Sequence, residues 1–194
     1  MTVYTDKFIF YHVPKTGGMW LVRNLPKMVS GVREGGANTK KGKYIPHHLV
    51  PDGKPPIFSF CFFRHPLDWY RSIFTYKNTR RNWRVLEEEN DYFYKIGVNE
   101  DDFNRFIEKL FKVHPEGFCT SLFKEFESVD FIGKYENLME DLKKALTMAG
   151  EDFTFDNLGR PDNVSDKSVV AEYNKKNKKM VEKADKYIID KYYS

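Results

Sequence analysis

Short apolar runs alternate along the chain with segments whose apolar residues recur every three or four positions. Lys7–Val13 (KFIFYHV) is a largely apolar run of strand length, closed by Pro14. Ile57–Phe63 (IFSFCFF) is a second, rich in phenylalanine and cut off by Arg64, His65 and Pro66. Val129–Lys134 (VDFIGK) is a third. Each precedes a helical pattern, over Met19–Met28, over Asp68–Lys77, and over a segment with Leu138, Leu142, Ala145 and Leu146 on one face, stopped by Gly150. Phe103, Phe106, Ile107, Leu110 and Phe111 mark a further amphipathic helix.

Strands alternating with helices predict an α/β fold with a central parallel sheet and helices on both faces. Ligands in such folds bind beyond the carboxyl ends of the strands. The segments just after each strand are therefore where chemistry is expected. No internal repeat or linker interrupts the chain, which reads as a single domain over 1–194. Arg80–Gly97 is charged and aromatic and reads as an excursion from the sheet. The lysine-rich Asn174–Lys186 reads as a solvated helix face.

Composition changes this picture little. In 194 residues, 41% are hydrophobic and 16% aromatic, enough core material to set disorder aside. A net charge of +4 suits an anionic ligand but is too small to argue for nucleic acid. Cys61 and Cys119 both lie in apolar runs, where a free thiol packs as a small hydrophobe. Met1–Lys7 is polar and unlike a signal peptide, and no apolar run approaches the roughly 18 residues of a membrane span. A soluble, cytoplasmic protein is expected.

The segment HVPKTGGMW (His12–Trp20) has the form strand, glycine turn, helix start. That is an anion cradle: exposed backbone N–H groups and the positive helix end face the ligand, and glycine lets the backbone approach. Lys15 adds a full charge. In the ATP-binding loop GxxxxGK followed by Ser or Thr, lysine comes after the glycines. Here Lys15 and Thr16 precede Gly17 and Gly18, so the segment is a different motif. It resembles the 5′-phosphosulfate loop of sulfotransferases that use 3′-phosphoadenosine 5′-phosphosulfate (PAPS). It shares PKTGG with the carbohydrate-modifying members and the lysine-to-tryptophan spacing with the soluble ones. Met19 stands where a hydroxyl residue is usual.

In CFFRHPLDWYRSIFTY (Cys61–Tyr76), Arg64 ends a strand and Ser72 follows eight residues later, on the next helix. This resembles the family's 3′-phosphate signature RxPxxxxxS. Guanidinium offers a planar charged fork and serine a hydroxyl. FIGKYENL (Phe131–Leu138) is similar to the family's strand ending in YEDL or YENL, whose tyrosine approaches adenine. The resemblance implies a P-loop-like three-layer fold and PAPS binding by Lys15, Thr16, Gly17, Gly18, Met19, Trp20, Arg64, Ser72 and Tyr135. Tyr135 and Trp20 are then candidates for the adenine pocket, with core packing as the plain alternative. It also implies transfer of the sulfuryl group to an acceptor hydroxyl without a metal. Lys15 would lie near the bridging oxygen and stabilise the leaving phosphate.

A base must take the acceptor proton, and His47 and His48 lie between the two motifs, where several relatives use histidine. An imidazole titrates near pH ~6.5, which suits that work. His48 is preferred as the one nearer the 3′-phosphate strand, with a carboxylate base or exposed loop histidines as alternatives. His12 and His65 read as packing or local hydrogen-bonding residues, and His114 as a helix-end residue. Arg160–Ser168 stands where relatives close a loop over the nucleotide, so Lys167 could reach a phosphate. Otherwise this is a helix-capping loop. The acceptor reads as a carbohydrate or small molecule. For an anionic glycan the basic residues Arg33, Lys40, Lys41 and Lys43 and the Arg80–Gly97 excursion are candidates. Two other functions compete: a P-loop nucleotide kinase, and a non-catalytic protein that keeps the nucleotide pocket.

Overall fold

The computed structural model describes residues 2–35, 57–79, 98, 100–156, 158 and 169–194. The chain forms two compact units, Met1–Arg64 with Glu125–Asn163, and His65–Lys124 with Val164–Ser194.

The first unit is built on a five-stranded sheet. Its strands are β1 (Thr2–Tyr4), β2 (Phe8–Tyr11), β3 (Arg33–Gly35), β4 (Phe58–Phe63) and β5 (Phe131–Lys134), in the spatial order β3-β1-β2-β4-β5. The three strands read from apolar runs, β2, β4 and β5, pair in parallel, Phe8 beside Phe58 and Phe60 beside Phe131. The sheet as a whole is mixed, which corrects the expectation of a parallel one. β1 is antiparallel to both β2 and β3. The reason is local: Thr5 N–H donates to the Phe8 carbonyl at 2.9 Å, and Thr5 Oγ1 accepts from the backbone N–H groups of Lys7 and Phe8. That turn folds the polar first residues back along β2 as a hairpin.

Alternation along the parallel strands puts Phe8, Phe10, Phe60 and Phe62 on one face. Phe60 stacks at 5.3 Å from both Phe8 and Phe10. Helix α1 (Gly18–Met28) follows β2 and adds Trp20, Leu21, Val22, Leu25 and Met28 to this core. Later in the chain come α2 (Pro66–Thr79), α3 (Phe103–Val113) and α4 (Phe118–Lys124), then α5 (Leu138–Met148) after a 3₁₀ turn at Tyr135–Asn137. From α5, Leu142, Ala145 and Leu146 join the core of the first unit. Gly133 lies so close to Phe62 that a β-carbon there would stand 2.5 Å from the ring. Lys134 N–H donates to Asp141 Oδ2 at 2.8 Å, tying the end of β5 to the first turn of α5.

The second unit is helical: α2, α3, α4, α6 (Lys175–Ala184) and α7 (Lys186–Tyr192). Its core is aromatic, with Phe74 at 5.1 Å from Phe103 and 5.4 Å from Phe106, and Trp69 at 5.8 Å from Phe118. Asp102 caps α3 by accepting from Arg105 N–H, and Asn174 caps α6 by accepting from Asn177 N–H. The lysine-rich helix is solvated on one side but buries Asn177 and Val181. Both cysteines are buried free thiols, and burial pushes their ionisation well up. Among the described residues no helix is long and apolar enough to cross a membrane.

Candidate functional site

Three chain segments leave the sheet at the carboxyl ends of β2, β4 and β5. Because these strands are parallel neighbours, the segments emerge at the same end of the sheet. The residues that directly follow the strands, His12–Gly18, Arg64 and Tyr135, belong to the first unit.

After β2 the chain runs buried through His12, Val13 and Pro14. Thr16 is fully buried and its hydroxyl donates to the Val13 carbonyl at 2.9 Å, which closes the loop on itself. Two residues take left-handed backbone: Lys15 at φ 63° and Gly17 at φ 82°. A lysine there is strained by about 1–2 kcal/mol and is held by its surroundings. The Gly17 carbonyl accepts from Trp20 and Leu21 N–H, so α1 begins directly behind it, and the cap residue itself has no side chain to bond the first amides. Those amides and the helix dipole favour a negative group.

The two glycines serve different purposes. Gly17 needs its positive φ, and a β-carbon there would also press on Leu138 and the Tyr135 ring at 3.2 Å. Gly18 makes room for a neighbour: a β-carbon would lie 1.7 Å from His12 Cδ2. His12 is thus a packing residue under the loop, 5% exposed.

Arg64 follows the last residue of β4. Its Nη1 donates to the Lys15 carbonyl at 3.4 Å, and its guanidinium carbon stands 4.3 Å from the centre of the Tyr135 ring. Arg64 Nε is buried and has no hydrogen-bond partner among the described residues. A buried cationic donor left over beside an amide-lined cradle is what an anion site needs. Tyr135, half-buried, opens the 3₁₀ turn after β5.

The structure therefore brings together Lys15, Thr16, Gly17, Gly18, Arg64 and Tyr135. Trp20 lies elsewhere, 7% exposed in the core among Leu21, Phe8 and Phe60, where the packing alternative put it. Met19 is half-buried on the first turn of α1. Ser72 is buried on α2 of the second unit. His47, His48 and Lys167 lie outside the described residues, as do Lys40, Lys41, Lys43 and the 80–97 excursion. Arg33 pairs with Asp6 and stacks 4.9 Å from the Tyr4 ring, so it braces the β1–β3 edge. His65 Nδ1 accepts from Leu67 N–H, and His114 caps the end of α3, local roles as expected.

Sequence reasoning missed Asp141, which anchors the strand end carrying Tyr135. The signal was present in an acidic residue on the first turn of the helix after a strand, but many such residues merely favour the helix dipole.

The second unit holds a perturbed acid, Asp185, fully buried between α6 and α7. Burial raises its carboxyl from 3.8 to about 6, against the opposing hydrogen bonds. It accepts from Tyr70 Oη and Thr120 N–H, each at 2.7 Å, and Gly117 leaves no room beside it. With its oxygens occupied by the fold, Asp185 is a structural acid.

Compared with known protein families, with characterised proteins and with solved structures, the chain matches none.

Proposed function

We propose that this protein is a PAPS-dependent sulfotransferase, moving a sulfuryl group to an acceptor hydroxyl of a carbohydrate or small molecule. The observation that carries the reading is the convergence, at one end of the sheet, of the Lys15–Gly18 cradle with Arg64, whose buried Nε has no hydrogen-bond partner among the described residues. A helix start with left-handed Lys15 and Gly17 suits a 5′-phosphosulfate. A charged fork one strand away suits a second phosphate. The P-loop-like three-layer arrangement is part of the proposal.

In this reading the sulfuryl group passes in line from the phosphate oxygen to the acceptor oxygen. The protein positions the two partners and neutralises charge. Lys15 stabilises the phosphate oxygen as its bond to sulfur breaks. His48, or His47 beside it, takes the acceptor proton as the new bond forms. Thr16 holds the loop in shape through Val13 instead of offering its hydroxyl proton to the ligand.

The test is whether the product nucleotide, adenosine 3′,5′-bisphosphate, raises the melting temperature with no metal added. ATP with magnesium should do far less. A larger shift from ATP and magnesium would favour a nucleotide kinase and overturn the proposal.

A further inference from the structure

We infer that Tyr135 is a positioning residue that aims Arg64 at the bound anion, and that its ring is not the platform for the nucleotide base. The inference rests on the anion-binding reading of the loop and departs from the adenine role considered for this tyrosine. One face of the ring is occupied by the Arg64 guanidinium, 4.3 Å from the ring centre. Another part of the ring, Cδ2 and Cε2, lies 3.2 Å from where a Gly17 β-carbon would stand, so it meets the loop backbone as well. The tyrosine is thus wedged between the two parts of the cradle, Arg64 and Gly17. Its own place is fixed from behind by the Lys134–Asp141 hydrogen bond at the end of β5.

This geometry does something useful for an arginine. The side chain is long and loses much rotamer freedom when it binds. Stacking on a ring orders the guanidinium through its face, while its N–H donors lie in its plane and remain available. Nη1 is engaged at 3.4 Å from the Lys15 carbonyl, and Nε has no hydrogen-bond partner among the described residues. The ring therefore pre-aims the fork without consuming the donors that would hold a phosphate. The phenolic hydroxyl has no part in this, so phenylalanine should replace tyrosine.

The experiment is calorimetric titration of the full chain with two probes, inorganic pyrophosphate, which has no base, and adenosine 3′,5′-bisphosphate. Tyr135→Phe should bind both within about twofold of the parent, whereas Tyr135→Leu should weaken both about five- to tenfold. In an Arg64→Ala background the leucine change should cause no further loss, because the ring acts through the arginine. The inference fails if Tyr135→Leu weakens the nucleotide but leaves pyrophosphate untouched, for the ring then serves the base. It fails equally if the two losses multiply, or if the parent binds neither probe. If pyrophosphate shows the expected pattern while the nucleotide binds no tighter than pyrophosphate, the positioning role stands and the sulfotransferase reading falls. Should circular dichroism show Tyr135→Leu unfolded, Tyr135→Met makes the same comparison with a ring-free side chain.

Discussion

Gly18 is predicted to be irreplaceable for a reason that lies in His12. Its β-carbon would stand 1.7 Å from His12 Cδ2, 2.3 Å from Nε2 and 2.6 Å from Cγ, where ordinary contacts begin at 3.4 Å. Relief would need the imidazole to shift by well over an ångström. His12 is 5% exposed and Val13 beside it is fully buried, so the ring has little room to yield. Overpacking of this kind costs about 1–3 kcal/mol, and the depth of the overlap puts Gly18→Ala near ~3 kcal/mol. His12→Ala alone should cost about 2 kcal/mol by leaving a cavity. The double variant should cost no more than about 2 kcal/mol, because the new methyl enters the vacated space. Urea unfolding of the four proteins at one pH gives the coupling directly, about 3 kcal/mol of compensation. Losses that add within ~0.5 kcal/mol would refute the packing account and leave Gly18 needed for some other reason.

Two further outcomes follow from the strained and buried groups. The folded Asp185 carboxyl, raised from 3.8 to about 6, holds a proton that the unfolded chain has already released. Its stabilising contribution is full below pH 3.8 and lost as pH rises through about 6. Unfolding free energies across that window should therefore fall by about 3 kcal/mol relative to Asp185→Asn, and parallel profiles would show the acid unperturbed. Lys15→Gly should relieve the left-handed backbone and raise stability by about 1 kcal/mol, while weakening adenosine 3′,5′-bisphosphate about tenfold. A destabilised Lys15→Gly protein would mean that the lysine side chain supports the fold.

The parallel strands were legible because each is a short, mainly apolar run ended by a polar or proline signal, as at Phe63 before Arg64. The helices at Phe103–Val113 and Leu138–Met148 were legible from their 3.6-residue periodicity. Strands β1 and β3 were not, since three-residue edge strands such as Thr2–Tyr4 carry no periodic signal and depend on the hairpin turn at Thr5. Helix α7 was missed because it is only seven residues long and directly follows Asp185, so the lysine-rich stretch hid the break. The site was half legible. The resemblance to two family motifs brought Lys15, Gly17 and Arg64 into one hypothesis, but the placing of Arg64 over the Tyr135 ring and the approach of His12 to Gly18 depend on tertiary placement. Trp20 shows the limit of reading by motif, because an aromatic at a motif position also satisfies a helix's need to fill its core.

The measurement closest to the central claim is the melting temperature of the full chain with adenosine 3′,5′-bisphosphate in metal-free buffer. At a free concentration of about 100 Kd, native-state binding adds about 2.7 kcal/mol, which for a chain of this size raises the transition by about 5–10 °C. The account predicts that rise without metal, its loss in Arg64→Ala at the same concentration, and little change with ATP and magnesium. A shift that requires magnesium, or that is larger with ATP, would contradict it.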